Sequence, residues 1–225
     1  MERNVSLNEI SDGKLYSRND LVKADCHDCK GCFACCRGMG NSIILDPLDI
    51  YQLLMNLNKT FEELMIEKIE LNMVDGIILP NLKMSGLDER CSFLNNEGRC
   101  SIHAFRPGFC RLFPLGRVYE DRDFKYFLQV NECKYENKTK IKVQKWINTP
   151  DIKKNEQFVR DWHYLLKDFQ NILKSIQDDN QRKEICMYIL KNFYLYPYDR
   201  NTDFYLQLKE RLSAAKDFTA EVESK

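Results

Sequence analysis

The sequence predicts an α+β fold, a small cysteine-rich metal-binding α+β core followed by a C-terminal helical segment. Three observations carry that expectation. Nine of the ten cysteines fall before residue 134, five of them between Cys26 and Cys36. Up to about residue 148, short apolar runs bounded by turn residues alternate with brief helical patterns. Beyond Thr149-Pro150, apolar residues recur at three- and four-residue intervals, the period of an amphipathic helix. The chain divides accordingly into a polar lead-in (1–25), a cysteine-cluster metal-binding domain (26–148) and a C-terminal helical extension (149–225).

The elements follow in order. Residues 1–25 carry scattered apolar positions and read as a loosely held lead-in. The cysteine loop is closed by Arg37-Gly38-Met39-Gly40, whose glycines accept tight turns. Ser42 to Leu45 reads as a short strand. Asp46-Pro47 reads as N-cap and first helical position of a helix to Leu57. Thr60-Phe61-Glu62-Glu63 fits a capping box and opens a helix expected to reach about Leu71. Gly76 to Leu79 and Asn81 to Met84 read as extended, broken at Pro80, and as a core strand pair. Cys91 to Leu94 and Cys100 to His103 flank Asn95-Asn96-Glu97-Gly98 as a hairpin. A second hairpin spans Val118-Tyr119 and Phe124 to Val130. Lys140 to Val143 alternates like a solvated edge strand. Three helices follow: one carrying Phe158 to Ile176, one from about Arg182 to Leu195 ended by Pro197, and one from about Thr202 to Ala215 before a charged, frayed tail.

At 225 residues the chain is long enough to bury a core without covalent staples. Its 34 basic residues balance 34 acidic ones. That balance speaks against nucleic-acid and anionic-membrane partners, which favour a basic excess. No apolar signal region follows Met1, and the apolar stretch Ile185 to Tyr196 is far short of the ~20 residues that span a bilayer. The expected location is cytoplasmic, with no membrane partner. There thiols stay reduced, and clustered cysteine indicates metal binding or catalysis rather than a disulfide scaffold.

Cys26, Cys29, Cys32, Cys35 and Cys36 form the first thiol set. Read through Cys36, it gives C-x2-C-x2-C-x3-C, the spacing by which bacterial ferredoxins hold [4Fe–4S] clusters. Arg37 stands where ferredoxins carry proline, so the likeness is one of spacing. Cys91, Cys100, Cys110 and Cys133 form a second, widely spaced set that only the fold can gather. Together they are nine candidate metal ligands. Four thiolates close a zinc site or hold one cubane cluster, and eight make two sites. The adjacent pair, the repeated x2 spacing and the surplus of thiolates tilt the cofactor toward an iron–sulfur cluster, with zinc second. Cys186, alone in a helix, reads as a buried small hydrophobe.

Cys29-x2-Cys32-x2-Cys35-Cys36, Cys91-Ser92-Phe93-Leu94, Gly98-Arg99-Cys100-Ser101-Ile102-His103, Arg106-Pro107, Cys110-Arg111 and Phe113-Pro114 together resemble the YkgJ-type cysteine-cluster family. This family is described as zinc- or iron-chelating and includes the flagellin lysine N-methylase FliB. The resemblance covers about residues 26–133 and implies metal binding by the eight cysteines from Cys29 to Cys133. Cys26 lies outside the family's usual pattern.

Arg99, Arg106, Arg111 and Arg117 accompany the second set and would offset the negative charge of clustered thiolates. Arg106 and Arg111 bracket Cys110 and are the expected cofactor-binding pair. His27 and His103 could serve as ligands or proton carriers, but with thiolates abundant they read as side chains supporting the site or solvated, and His163 reads as helix packing or surface. No dinucleotide, P-loop, nucleophile-elbow or H-E-x-x-H motif is present. Three functions remain open: an iron–sulfur protein in a redox, sensing or enzymatic role; a zinc-stabilised protein-interaction module; and a protein lysine N-methylase. The corresponding partner is a protein or a redox partner.

Overall fold

The computed structural model describes residues 6–29 and 32–223. Met1 to Val5 of the lead-in and the last two residues of the tail lie outside the described residues. The fold is α+β.

The lead-in is structured from Ser6 onward, contrary to the sequence expectation. It holds a helical turn, α1 (Leu7–Ile10), and two strands, β1 (Ser11–Tyr16) and β2 (Leu21–Asp25). Val22 and Ala24 are fully buried while their neighbours Leu21 and Lys23 are exposed, the alternation of a strand with one face on the core. Five residues are too few for that period to stand out in the sequence.

The helix α2 (Pro47–Leu57) starts as its cap predicts. The Asp46 side chain accepts from the Asp49 amide and the Asp49 side chain accepts from the Asp46 amide. The helix α3 (Phe61–Glu67) has the expected capping box between Thr60 and Glu63. It stops one turn short of Leu71, because β3 (Ile69–Val74) pairs antiparallel with β4 (Ile77–Leu82) along its whole length. Pairing that buries Ile69, Val74 and Ile77 outweighs the local helical pattern. The strand β4 runs through Pro80 without a break. Pro80 has no N–H to give, but its carbonyl accepts from the Leu45 amide. The strand expected at Ser42 to Leu45 reduces to a single bridge, Ile44 to Asn81.

Two short strands, β5 (Met84–Ser85) and β6 (Arg90–Cys91), lead into the turn that brings Leu94 opposite Cys100. Then come α4 (Gly108–Leu112), β7 (Leu115–Glu120), β8 (Asp123–Gln129), β9 (Thr139–Lys142), α5 (Val143–Ile147), α6 (Ile152–Ser175), α7 (Asp179–Leu190), a π-helical turn (Lys191–Leu195) and α8 (Phe204–Glu223). The helix α8 continues past Ala215 into the stretch expected to fray. The strands make the antiparallel orders β1-β8-β7, β2-β9, β3-β4 and β5-β6. The lead-in strands thus close onto β8 and β9, more than a hundred residues later.

One apolar core runs from Val22 to Ala215, across the 148/149 boundary. Tyr194 Oη donates to the Leu45 carbonyl, and Cys186 Sγ donates to the Gly76 carbonyl. Arg18 pairs with buried Glu156 of α6, which also accepts from Tyr126. Among the described residues, no helix is long and apolar enough to cross a membrane.

Candidate metal centre

Seven thiols line one cavity of about 60 Å3: Cys29, Cys32, Cys35, Cys36, Cys91, Cys100 and Cys110. Most of them sit on or beside short elements, and Cys32 lies in the loop between two turns. Cys29 ends the 3-10 turn His27–Cys29, and Cys35 and Cys36 end the 3-10 turn Ala34–Cys36. Cys91 ends β6, Cys100 pairs with Leu94, and Cys110 lies in the middle of α4. Turns of three residues suit this task, since they aim successive sulfurs into one space without committing the chain to a long helix. Apolar side chains including Ile43, Leu82, Phe93 and Ile102 complete the wall.

Three contacts set the first loop against the later hairpin. Arg99 Nη1 donates to the Cys29 carbonyl at 3.1 Å. Arg37 bridges to Arg90 through the backbone. A Cβ at Gly98 would stand 2.8 Å from the Phe33 ring, so only glycine lets the loops approach this closely. The sequence shows a turn at Gly98 but not what packs on it.

Cys26 and Cys133, both expected as ligands, do not line the cavity. Cys26 is buried at 3 % exposure, with its sulfur 3.6 Å from Cys29 Sγ, and it also hydrogen-bonds Cys133. Of the ferredoxin-like run, Cys29, Cys32 and Cys36 line the cavity, as does Cys35 beside them. Cys186 is remote in α7, as expected for packing. All ten cysteines are free thiols.

The thiols differ in acidity. A hydrogen bond from Cys36 brings Cys35 down to about 7 and leaves Cys36 raised. The hydrogen bond from Cys26 lowers Cys29, with a smaller contribution from the Arg106 charge. Burial raises Cys91, Cys100 and Cys110. Such buried thiols favour the neutral form until a cation replaces the proton.

The four arginines divide. Arg99 and Arg106 line the thiol cavity. Arg111, expected beside the cofactor, does not. It is 8 % exposed and donates to the carbonyls of Ala104, Arg106 and Asn148. Together with Arg117, Asp46 and Asp49 it lines a second, smaller cavity of about 20 Å3. Arg106 borders both cavities. Its Nη1 donates to His103 Nε2, which leaves that ring nitrogen without a proton. Its buried Nε has no partner among the described residues. His27 packs edge-on against Tyr135, and His163 stacks on Tyr119.

Asp49 is a positioning residue that the sequence reading missed. Its Oδ1 accepts from the Gly108 amide at 2.7 Å. That bond fixes the start of α4, which carries Cys110. The signal available was a second aspartate in the cap, but nothing in the sequence ties it to residue 108.

The donor set fits a soft metal: sulfur dominates the cavity, with two cations at its edge and, among the described residues, no carboxylate in its wall. Among the described residues, no three His, Cys, Asp or Glu side chains converge on one point as a ready-made ion site. The sulfurs stand around a space instead.

These features define a class, a compact α+β domain with a sulfur-lined chelating cavity. A family model named CxxCxxCC, described as "Putative zinc- or iron-chelating domain", matches residues 28–187, and the chain belongs to that family. The match extends past the last cavity cysteine through α6 and most of α7. The YkgJ-type resemblance fits it. No curated protein and no solved structure matches the chain.

Proposed function

We propose that the cavity holds an iron–sulfur cluster and that the protein works as a redox-active metal-centre protein. The observation that carries this reading is the number of sulfurs around a single space. A zinc ion takes four ligands and closes its site. Seven thiols around one cavity are a surplus for one ion and suit a centre of several metal atoms. Cys29, Cys32, Cys35 and Cys36 would serve from one side, and Cys91, Cys100 and Cys110 from the other. When bound, such a cluster supplies one-electron transfer. The chain's own groups tune it: Arg99 and Arg106 offset thiolate charge, and the apolar wall limits water.

The test is metal analysis of the full chain purified without oxygen. The expected result is iron with acid-labile sulfide and a broad visible absorption that bleaches on reduction. A colourless protein holding stoichiometric zinc overturns the iron–sulfur reading and leaves a zinc-stabilised interaction module in its place.

A further inference from the structure

Cys26 is the one thiol of the first loop that does not line the cavity, yet it touches a thiol that does. The Cys26 and Cys29 sulfurs are 3.6 Å apart. Both belong to the C-x2-C unit Cys26-His27-Asp28-Cys29, which the 3-10 turn His27–Cys29 folds back on itself. His27 and Cys29 take φ values of 52° and 55°, left-handed conformations that non-glycine residues adopt rarely. The turn therefore holds the two sulfurs together by a specific backbone path. Sulfurs this close need only a small further approach to reach the S–S bond length of about 2.05 Å. Cys29 is partly exposed, so a small oxidant reaches it, while Cys26 is buried behind it.

We propose that Cys26 and Cys29 form a dithiol switch, in which closing the Cys26–Cys29 disulfide withdraws Cys29 from the cavity and releases the metal. The release half rests on the reading of Cys29 as a ligand; the dithiol half does not. The oxidant is a low-molecular-weight disulfide such as glutathione disulfide. The Cys29 thiolate attacks one sulfur of the oxidant. The oxidant's S–S bond breaks, and the Cys29 sulfur gives up its bond to the metal where one is bound; one glutathione leaves as a thiolate and takes a proton from water, or, in the metal-free protein, the proton that Cys29 lost. The Cys26 thiolate then attacks the Cys29 sulfur of the mixed disulfide. The Cys26–Cys29 bond forms, and the second glutathione leaves with the proton from Cys26. Two protein thiols lose two electrons, and one external disulfide becomes two thiols.

Cys133, which also hydrogen-bonds Cys26, is the competing partner. Peptide mapping separates the two. Trypsin cuts after Lys23 and Lys30, so Cys26 and Cys29 share peptide 24–30, whereas Cys133 falls in peptide 126–134. The full-length protein as purified is equilibrated with graded ratios of reduced to oxidised glutathione, alkylated and digested. The expected result is peptide 24–30 lighter by two hydrogens and unalkylated, with metal lost in proportion; a dithiol reductant restores both thiols, and metal returns when iron and sulfide are then supplied. Cys26→Ser should stall at the intermediate, with one glutathione on Cys29. A cross-link between peptides 24–30 and 126–134, or full alkylation of Cys26 and Cys29 at every ratio, overturns the dithiol. Metal that stays bound while the Cys26–Cys29 disulfide forms overturns the switch. A protein isolated without metal defeats the metal-centre reading, and the release half with it. The mapping still decides the dithiol.

Discussion

Two cavities lie on either side of Arg106, and they are built on opposite principles. The sulfur cavity is lined by groups with few partners among the described residues: thiols, apolar side chains and Arg106, whose buried Nε has none. The polar cavity is lined by groups with many. Asp46 and Asp49 cap α2 and anchor α4, and Arg111 ties three backbone carbonyls together. One space keeps its donors available, and the other uses its charges to hold the frame. The difference teaches that charge beside a cysteine is not in itself a sign of service to a cofactor. Arg106 and Arg111 bracket the same cysteine, and only Arg106 reaches its cavity.

The sharpest way to break this contrast is to remove a thiol. Cys32→Ser should lose the metal and strongly destabilise residues 26–133, because binding energy becomes folding energy. For structural zinc sites that term reaches about 10 kcal/mol. Cys186→Ser should keep full metal content, since its sulfur only donates to the Gly76 carbonyl. Metal per chain and urea unfolding, measured side by side, decide the matter. Unaltered metal in the Cys32 variant would refute its place as a ligand.

The arginines give the next largest effect. Arg111→Met strands three carbonyls, and should lower stability by about 3–5 kcal/mol while leaving metal per folded chain unchanged. Arg106→Gln should do the reverse. It should weaken metal binding about 10- to 100-fold in a competitive chelator titration, with a smaller loss of stability. If the two variants behave alike, the division between the cavities fails.

The smallest effect is a pH dependence of the frame. Burial lifts Asp46 from 3.8 to about 6. Burial, and then the charge of Asp46, raises Asp49 further. Between about pH 4 and 6 the folded protein therefore holds a proton on Asp46 that the unfolded chain has released. This stabilising contribution is whole below about pH 4 and is lost as pH rises through about 6. Asp46→Asn keeps an oxygen for the cap but cannot titrate. The stability advantage of the wild type over the variant should therefore shrink across that window. A difference that stays flat in thermal unfolding from pH 4 to 7 excludes Asp46 from this role.

Several features were legible before any coordinate. The Asp46-Pro47 cap placed the start of α2, the capping box at Thr60 placed that of α3, and the apolar period placed α6. Cysteine spacing singled out the loop from Cys26 to Cys36, and the turn Asn95-Asn96-Glu97-Gly98 singled out the hairpin from Cys91 to Cys100. These are short-range signals, in which each residue is read against neighbours within one or two turns. What failed was the long-range part. The lead-in strands exist because β8 and β9 accept them, and α3 ends early because β3 finds β4.

The thiol cluster shows the same division. The order and spacing of its cysteines mark the chain by themselves as a chelating protein, because no helix or strand needs sulfur at that density. Which thiols share a cavity was decided only by the tertiary structure. It kept Cys110 and turned away Cys26 and Cys133. The physical reason is that Cys110 rides on α4, whose start is held by a hydrogen bond to Asp49, 59 residues earlier. A contact of that reach follows from how α2 and α4 pack, and packing is not written in the spacing of the cysteines.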